Sequence, residues 1–260
     1  MKKLVVRILI ALVVLVILAV LAVSLFLDGA IKRGVESYGP KFTKVEVKLG
    51  SVSLSLIAGS GKMTKLVVGN PEGYKTPAAI NMGTASLALN SKSLLSDKIV
   101  VKSINVQGPE ITFETDFKIS NLKKILANLE ETTGGGEQGG DRAKQAQTTQ
   151  GKAGRKLEVD DMLISGGKIH VSITSLAGKS ATIPLPEIHL TDLGKGPEGI
   201  TGAELAKIVL AAIEKEAAKG ASGAVADLEK SALSLTKDLG PTGTNAVKKA
   251  SKTISDWLKK

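Results

Sequence analysis

Ile8 to Leu27 reads ILIALVVLVILAVLAVSLFL, twenty residues with no charge and one polar side chain, Ser24. A helix of about 20 apolar residues covers about 30 Å, the thickness of a bilayer's hydrocarbon core. It meets its own backbone hydrogen bonds, as a segment crossing lipid must. A cleaved signal peptide has a shorter apolar core, roughly 7 to 15 residues, ending at an Ala-x-Ala-like site. Here Ala19 and Ala22 are wrongly spaced for that site, and Leu25-Phe26-Leu27 carries the apolar run past them. Residues 8–27 are therefore expected to stay as a transmembrane anchor, with 1–7 as a short cytoplasmic tail. Lys2, Lys3 and Arg7 precede the run and Lys32 and Arg33 come after it, so positive charge gives only a slight bias. A short basic tail before a long apolar run behaves like an export signal. The expectation is a single-pass membrane protein with the bulk of the chain on the extracytoplasmic side.

Beyond the anchor the chain is long enough for one large domain or two small ones. With no cysteine there is no disulfide framework and no thiolate metal site. Aromatics make up only 3% of residues, which argues against a base-stacking platform for single-stranded nucleic acid. The net charge of +10 is spread along the chain rather than packed into one run. A solvated basic surface, or one facing anionic lipid, explains it as well as nucleic acid would.

From Thr43 the pattern becomes that of half-buried strands. Val45, Val47 and Leu49 alternate with Lys44, Glu46 and Lys48. At Gly50-Ser51 the phase slips, and Val52, Leu54 and Leu56 continue on the other parity. The same slip recurs between Met82 and Leu87 and between Val101 and Ile104. A slip of one residue turns all later side chains over unless a bulge absorbs it. Repeated slips at small residues predict strands that bend and coil. Before this region, Gly29 to Ser37 suits a short helix broken at Gly39-Pro40. Asn70-Pro71-Glu72-Gly73-Tyr74 is a tight turn.

Lys98 to Glu114 (KIVVKSINVQGPEITFE) and Lys156 to Ser172 (KLEVDDMLISGGKIHVS) form a repeat. Ile99, Val101, Ile104, Val106, Gly108, Ile111 and Phe113 fall on Leu157, Val159, Met162, Ile164, Gly166, Ile169 and Val171. The spacing suggests a shared hairpin with one bulge and one glycine turn. Leu122 to Glu131 is expected to be a short helix capped by Ser120-Asn121. Residues 132–155, rich in Gly, Gln and Thr, read as a linker. Ala181 to Leu193, interrupted by Pro184 and Pro186, fits an edge strand.

Residues 201–260 change period. Thr201 and Glu204 have capping-box spacing, leading into an apolar stripe at Leu205, Ile208, Val209, Ala212 and Ile213. A second stripe runs from Val225 to Leu239 and a third from Val247 to Trp257. They are expected to be amphipathic helices that pack on the sheet, with a bilayer surface as the other possible seat for the lysine-rich end.

Reaction chemistry is missing from the pattern. Ile57 to Lys62 (IAGSGK) lacks the first glycine of a phosphate loop and has Met63 where Ser or Thr belongs. His170 and His189 have no metal-spaced partner. Asp160-Asp161, adjacent on a strand, point to opposite faces and make a poor acid/base couple. No GxSxG elbow occurs. The chain reads as a non-enzyme with no cofactor and no metal site.

Several of these pieces together resemble the AsmA-like family of membrane-anchored envelope proteins. They are the strand after the anchor, Asn70-Pro71-Glu72-Gly73-Tyr74, the strand leading to Ser93-Leu94-Leu95, Lys98 to Val106 leading into Gly108-Pro109-Glu110-Ile111, and Asn121-Leu122-Lys123-Lys124-Ile125-Leu126. The resemblance covers about a third of the chain, from Val45 to Leu129. It implies an inner-membrane protein facing the periplasm, with a curled antiparallel β-sheet over 43–131 and a second β repeat over 156–193. It also implies a role in envelope and outer-membrane biogenesis through phospholipid binding or transport. An envelope protein partner is possible on this reading, and nucleic acid is not expected.

The residues expected to line the lipid-facing side are Val45, Val47, Leu66, Val68, Leu87, Leu89, Ile104 and Val106. This chain is much shorter than the bridge-like members of that family. The alternative is an anchored scaffold whose groove is filled by its own C-terminal helices.

Overall fold

The computed structural model describes Ile10, Val14 and residues 26–115, 118–133, 155–173 and 179–236, with side-chain surroundings as far as 224. Most of the apolar run 8–27 lies outside the described residues, as do 134–154 of the expected linker and the third C-terminal stripe. Among the described residues no helix is long and apolar enough to cross a membrane.

Among the described residues, nine strands form one curled, open sheet, a half-barrel, accompanied by three helices. β1 (Val47–Ser55) and β2 (Ser60–Gly69) make a hairpin, and β3 (Ala78–Leu89) adds antiparallel to β2. β4 (Lys98–Gln107) and β5 (Glu110–Thr115) pair in turn with the far side of β3, Gln107 opposite Thr84 and Ile111 opposite Ile80. β6 (Lys156–Ser165) runs parallel to β4, and β7 (Lys168–Ile173) runs parallel to β5. β8 (Lys179–Pro184) pairs with β7 and β9 (Ile188–Leu193) with β6, both antiparallel. As expected for a stretch holding Pro184 and Pro186, these two strands stand at the ends of the strand order.

The sequence repeat has a different basis from the hairpin expected of it. β4 and β5 are halves of one long strand, because both keep a single register against β3 across Gly108-Pro109. β6 and β7 are the corresponding halves of the next strand. The two copies lie side by side in parallel, Ile99 opposite Leu157, Ile104 opposite Met162 and Phe113 opposite Val171. The sheet is therefore mixed rather than purely antiparallel.

The slips at Gly50-Ser51 and Met82–Leu87 line up, whereas the one at Val101–Ile104 falls at a separate register shift opposite Ala88–Leu89. Gly50 and Lys65 face each other between the pairs Leu49–Leu66 and Ser51–Thr64. Gly83 faces Lys65 on one side and Gly108 on the other. Gly166 comes next, and then Pro186, which falls between the β7–β8 and β6–β9 pairings. One crease thus crosses the whole sheet. Lys65, Gly108 and Gly166 hold positive φ of 53°, 59° and 65° there. That left-handed step turns the next side chain to the opposite face. The ladder survives the crease through Gly108 N–H to Ser165 O, Lys168 N–H to Pro109 O and Leu185 N–H to Gly167 O, each 2.9 Å.

α1 covers 26–43, longer than the expected 29–37, and runs through Gly39-Pro40. It lies along the free edge of β1. Asp28 Oδ1 accepts from Leu54 N–H at 2.9 Å and Glu36 Oε1 from Leu49 N–H at 3.1 Å, while Lys32 Nζ donates to Gly50 O at 2.9 Å. These residues, at i, i+4 and i+8, occupy ladder groups that would otherwise invite another strand. Gly39 permits the close approach, since a Cβ there would stand 2.9 Å from Val47 Cβ.

α2 (Asn121–Thr133) spans from β5 to the end of α1, where Asn128 Nδ2 donates to Thr43 O at 2.8 Å. α3 (Gly202–Thr236) is one helix where the sequence suggested two. Its expected capping box is present: Glu204 N–H donates to Thr201 Oγ1 at 3.1 Å and Thr201 N–H to Glu204 Oε2 at 2.6 Å. Gly220 does not break the helix. It lets the helix sit on β8, where a Cβ would lie 2.5 Å from Ile183 Cδ1.

Candidate functional site

The pairings arrange the inner face of the sheet in cross-strand rows. Below the crease, one row is Val47, Val68, Ile80, Ile111, Ile169 and Ile183. Above it, another is Leu54, Gly61, Leu87, Ile104, Met162 and Leu190. Gly61 marks the tight packing of that row, because a Cβ there would meet Leu54 Cδ2 at 2.6 Å.

The eight residues expected to line the lipid-facing side lie in or against the buried side of the sheet. Val45, Val47, Ile104 and Val106 are buried, and Leu66, Val68, Leu87 and Leu89 are half-buried against the same core. Cover differs along the face. Ile111, Phe113 and Ile169 are fully buried in a cluster with Leu122, Ile125 and Leu129 of α2 and Leu210, Ile213 and Ala217 of α3. On the β1–β3 side above the crease, Val52, Leu54, Met63, Leu87 and Leu89 remain partly open. This half-open apolar corner can shelter hydrocarbon. It offers no charge to a reacting group.

Sequence reasoning passed over a buried polar knot beside this core. Glu114 is 0% exposed. Its carboxylate accepts from Lys75 N–H at 2.8 Å, Thr76 N–H at 2.9 Å and Thr76 Oγ1 at 2.6 Å. Asn121 accepts from Glu114 N–H at 2.9 Å and donates to Asn70 Oδ1 at 2.7 Å and Thr112 O at 2.8 Å. Asn70 Nδ2 donates to Thr76 O at 2.7 Å, and Tyr74 Oη donates to Ile119 O at 3.2 Å. The 70–76 turn, β5 and the start of α2 are thereby tied together. A buried carboxylate held by backbone N–H groups is a structural clamp. The signal available in sequence was Glu114 itself, an acid placed next to Phe113 where the strand should be going inward.

The remaining polar candidates among the described residues are surface pairs and one charged cleft. His189 Nε2 lies 2.6 Å from Asp161 Oδ1 and His170 Nδ1 lies 3.0 Å from Thr182 Oγ1, all on exposed sheet surface. A cleft of about 500 Å³ between the 70–74 turn and α2 is lined by Lys44, Glu72, Lys124, Asn128 and Glu131, with Lys44 and Glu131 paired at 2.6 Å. It holds solvated charges and no nucleophile. Among the described residues no group of three or more acidic or histidine side chains could hold a metal ion.

Two carboxylates are perturbed. Hydrogen bonding from the Thr201 backbone holds Glu204 below the ordinary carboxylate range. Burial pushes Glu214 above it, with Lys123 opposing. Neither lies by the half-open corner's row, so they belong to the cap and the helix packing.

Compared with known protein families, curated proteins and solved structures, the chain matches none.

Proposed function

We propose that this chain is a membrane-anchored, non-enzymatic lipid-handling protein of AsmA-like type, working at the periplasmic face of the inner membrane in envelope biogenesis. The observation that carries the reading is the half-open apolar corner of a curled sheet, lined by Leu54, Met63, Leu87 and Leu89. Such a surface gains about 0.8 kcal/mol for each acyl methylene it removes from water. The residues of the AsmA-like resemblance also meet physically: Asn70, Tyr74 and Asn121 take part in the knot around Glu114.

The test uses the full chain purified from a lipid-replete host, with phospholipid measured by mass spectrometry after delipidating washes. Retained phospholipid is expected, and a Leu87→Trp variant that fills the corner should retain less. Equal retention by both would sink the reading. A second reading, an anchored scaffold for an envelope protein partner, is favoured by α3, whose Leu210, Ile213 and Ala217 are buried against the sheet. Wild-type chain free of lipid would support that scaffold instead.

A further inference from the structure

We propose that the end of the sheet carrying the β1–β2 turn docks on an anionic phospholipid surface, with Ile57 entering the interface. This rests on the anchored reading above and adds which surface of the domain faces the bilayer. Several elements meet at this end. Asp28, in the first described turn of α1, bonds Leu54 N–H, so the helix that continues from the apolar run starts here. The turn at 56–59 lies against the 3-10 turn Ser91–Leu95, through Ser91 Oγ to Leu56 O at 2.9 Å and Leu89 N–H to Gly59 O at 2.7 Å. Arg155 reaches the same turn through Nη1 to Leu94 O at 2.5 Å.

Large apolar side chains are exposed at this end and rarely elsewhere. Ile57 is 83% and Phe26 75% exposed. Phe26 belongs to the apolar run; among the described residues outside it, Tyr38 is the one other besides Ile57, and Lys41 covers its ring at 4.9 Å. A single exposed isoleucine is ordinary. Ile57 stands where a 20-residue apolar run, with Phe26 near its end, joins the domain, and that position is placed for lipid.

The charges agree. Lys62, Lys92 and Arg155 are exposed around the tip, where basic groups are attracted to an anionic leaflet. Asp97 is the exposed acid beside them, since Asp28 is held by Leu54 N–H. The acidic groups of this end, Glu158, Asp160, Asp192 and Glu198, cluster instead toward β6, β9 and the loop after it, where Lys98 and Lys195 pair with Glu158 and Asp192. The sheet therefore presents its β1–β2 corner to the lipid and holds its β9 corner away.

The chain has no cysteine, so single thiol labels can be placed at will. Full-length Ile57→Cys and Glu72→Cys, each carrying an environment-sensitive fluorophore, are reconstituted into phosphatidylethanolamine–phosphatidylglycerol vesicles. Glu72 is exposed in the 70–74 turn, away from the tip. The label at 57 should show a several-fold rise in emission and quenching by brominated lipid, while the label at 72 stays water-like. Adding Lys92→Glu and Arg155→Glu should reduce the quenching at 57. A water-like label at 57, on chain that resists carbonate extraction, overturns the docking alone. So does equal quenching at 57 and 72. Release of the chain by carbonate overturns the anchored reading beneath it.

Discussion

Two parts of the apolar face, β5 and β7 below the crease and β1 to β3 above it, are built from the same kind of residue yet end in different states. Below it, Ile111, Phe113, Ile169 and Val171 are sealed. Above it, on the β1–β3 side, Leu54, Met63, Leu87 and Leu89 stay partly open. Strand alternation and side-chain size are alike. The difference is cover: α2 packs on β5, and α3 starts beside β6 and β9 before reaching β8. A curled sheet of this kind supplies an apolar face everywhere, and the helices decide where it is a core and where it is a surface.

The widest gap between the halves should appear on truncation. Phe113→Ala removes a fully buried ring from the lower half and should cost about 3–5 kcal/mol. Leu87→Ala, in the upper half, should cost less than the roughly 2 kcal/mol at the bottom of the range for buried leucine. Chemical denaturation of both variants measures the pair. Similar costs would mean that the upper corner is as well packed as the lower core.

The next effect belongs to the clamp that closes the lower half. Glu114→Gln keeps the shape but replaces one acceptor oxygen by a donor facing the N–H groups of Lys75 and Thr76. A loss of about 1–3 kcal/mol is expected, with faster amide exchange in the 70–76 turn. Unchanged stability and exchange would remove Glu114 as the tie between that turn and β5.

Smaller effects probe the boundary between the halves. Gly108 sits at φ 59°, where a Cβ is strained, so Gly108→Ala should cost about 1 kcal/mol. Gly83, opposite it on the crease, has no positive φ and open space where a Cβ would stand. Gly83→Ala should be neutral or gain a few tenths of a kcal/mol. Equal losses at both would show that the crease needs glycine for room rather than for its backbone angle.

Periodicity sets how much of this architecture was legible in the residues alone. The parity changes at Gly50, Met82–Leu87 and Val101–Ile104 announced bent strands, because a half-buried strand writes its phase into the sequence. The matched spacing of Lys98–Glu114 and Lys156–Ser172 identified two equivalent strands. Their parallel adjacency was hidden, since pairing direction depends on where the intervening chain returns. Gly108-Pro109 and Gly166-Gly167 read as hairpin turns because the same residues serve a crease. Asp28, Lys32 and Glu36 look like a solvated helix face until β1's unpaired edge is beside them. The eight apolar site residues were readable as one face, but their unequal cover was not. That depends on helix docking, to which a stripe of apolar residues gives no address.

The smallest effect tests the cover itself. Glu214 lies next to Ile213 on α3, half-buried, and burial raises its pKa while Lys123 of α2 opposes. For a carboxyl raised on folding, the sign depends on which state binds the proton longer. Below the ordinary carboxylate range both states are protonated and no penalty exists. As pH rises the unfolded chain ionises first and is stabilised, so stability falls until the folded group ionises as well, and the penalty then stays constant. Glu214→Gln should therefore match wild type near pH 4 and exceed it at pH 7 by a few tenths of a kcal/mol, the gap opening between those limits. Denaturant midpoints across that range measure it. A gap that is present at pH 4 and closes toward neutrality would mean that Lys123 outweighs burial, and that the helices over the lower half are joined by charge instead of being sealed by apolar contact.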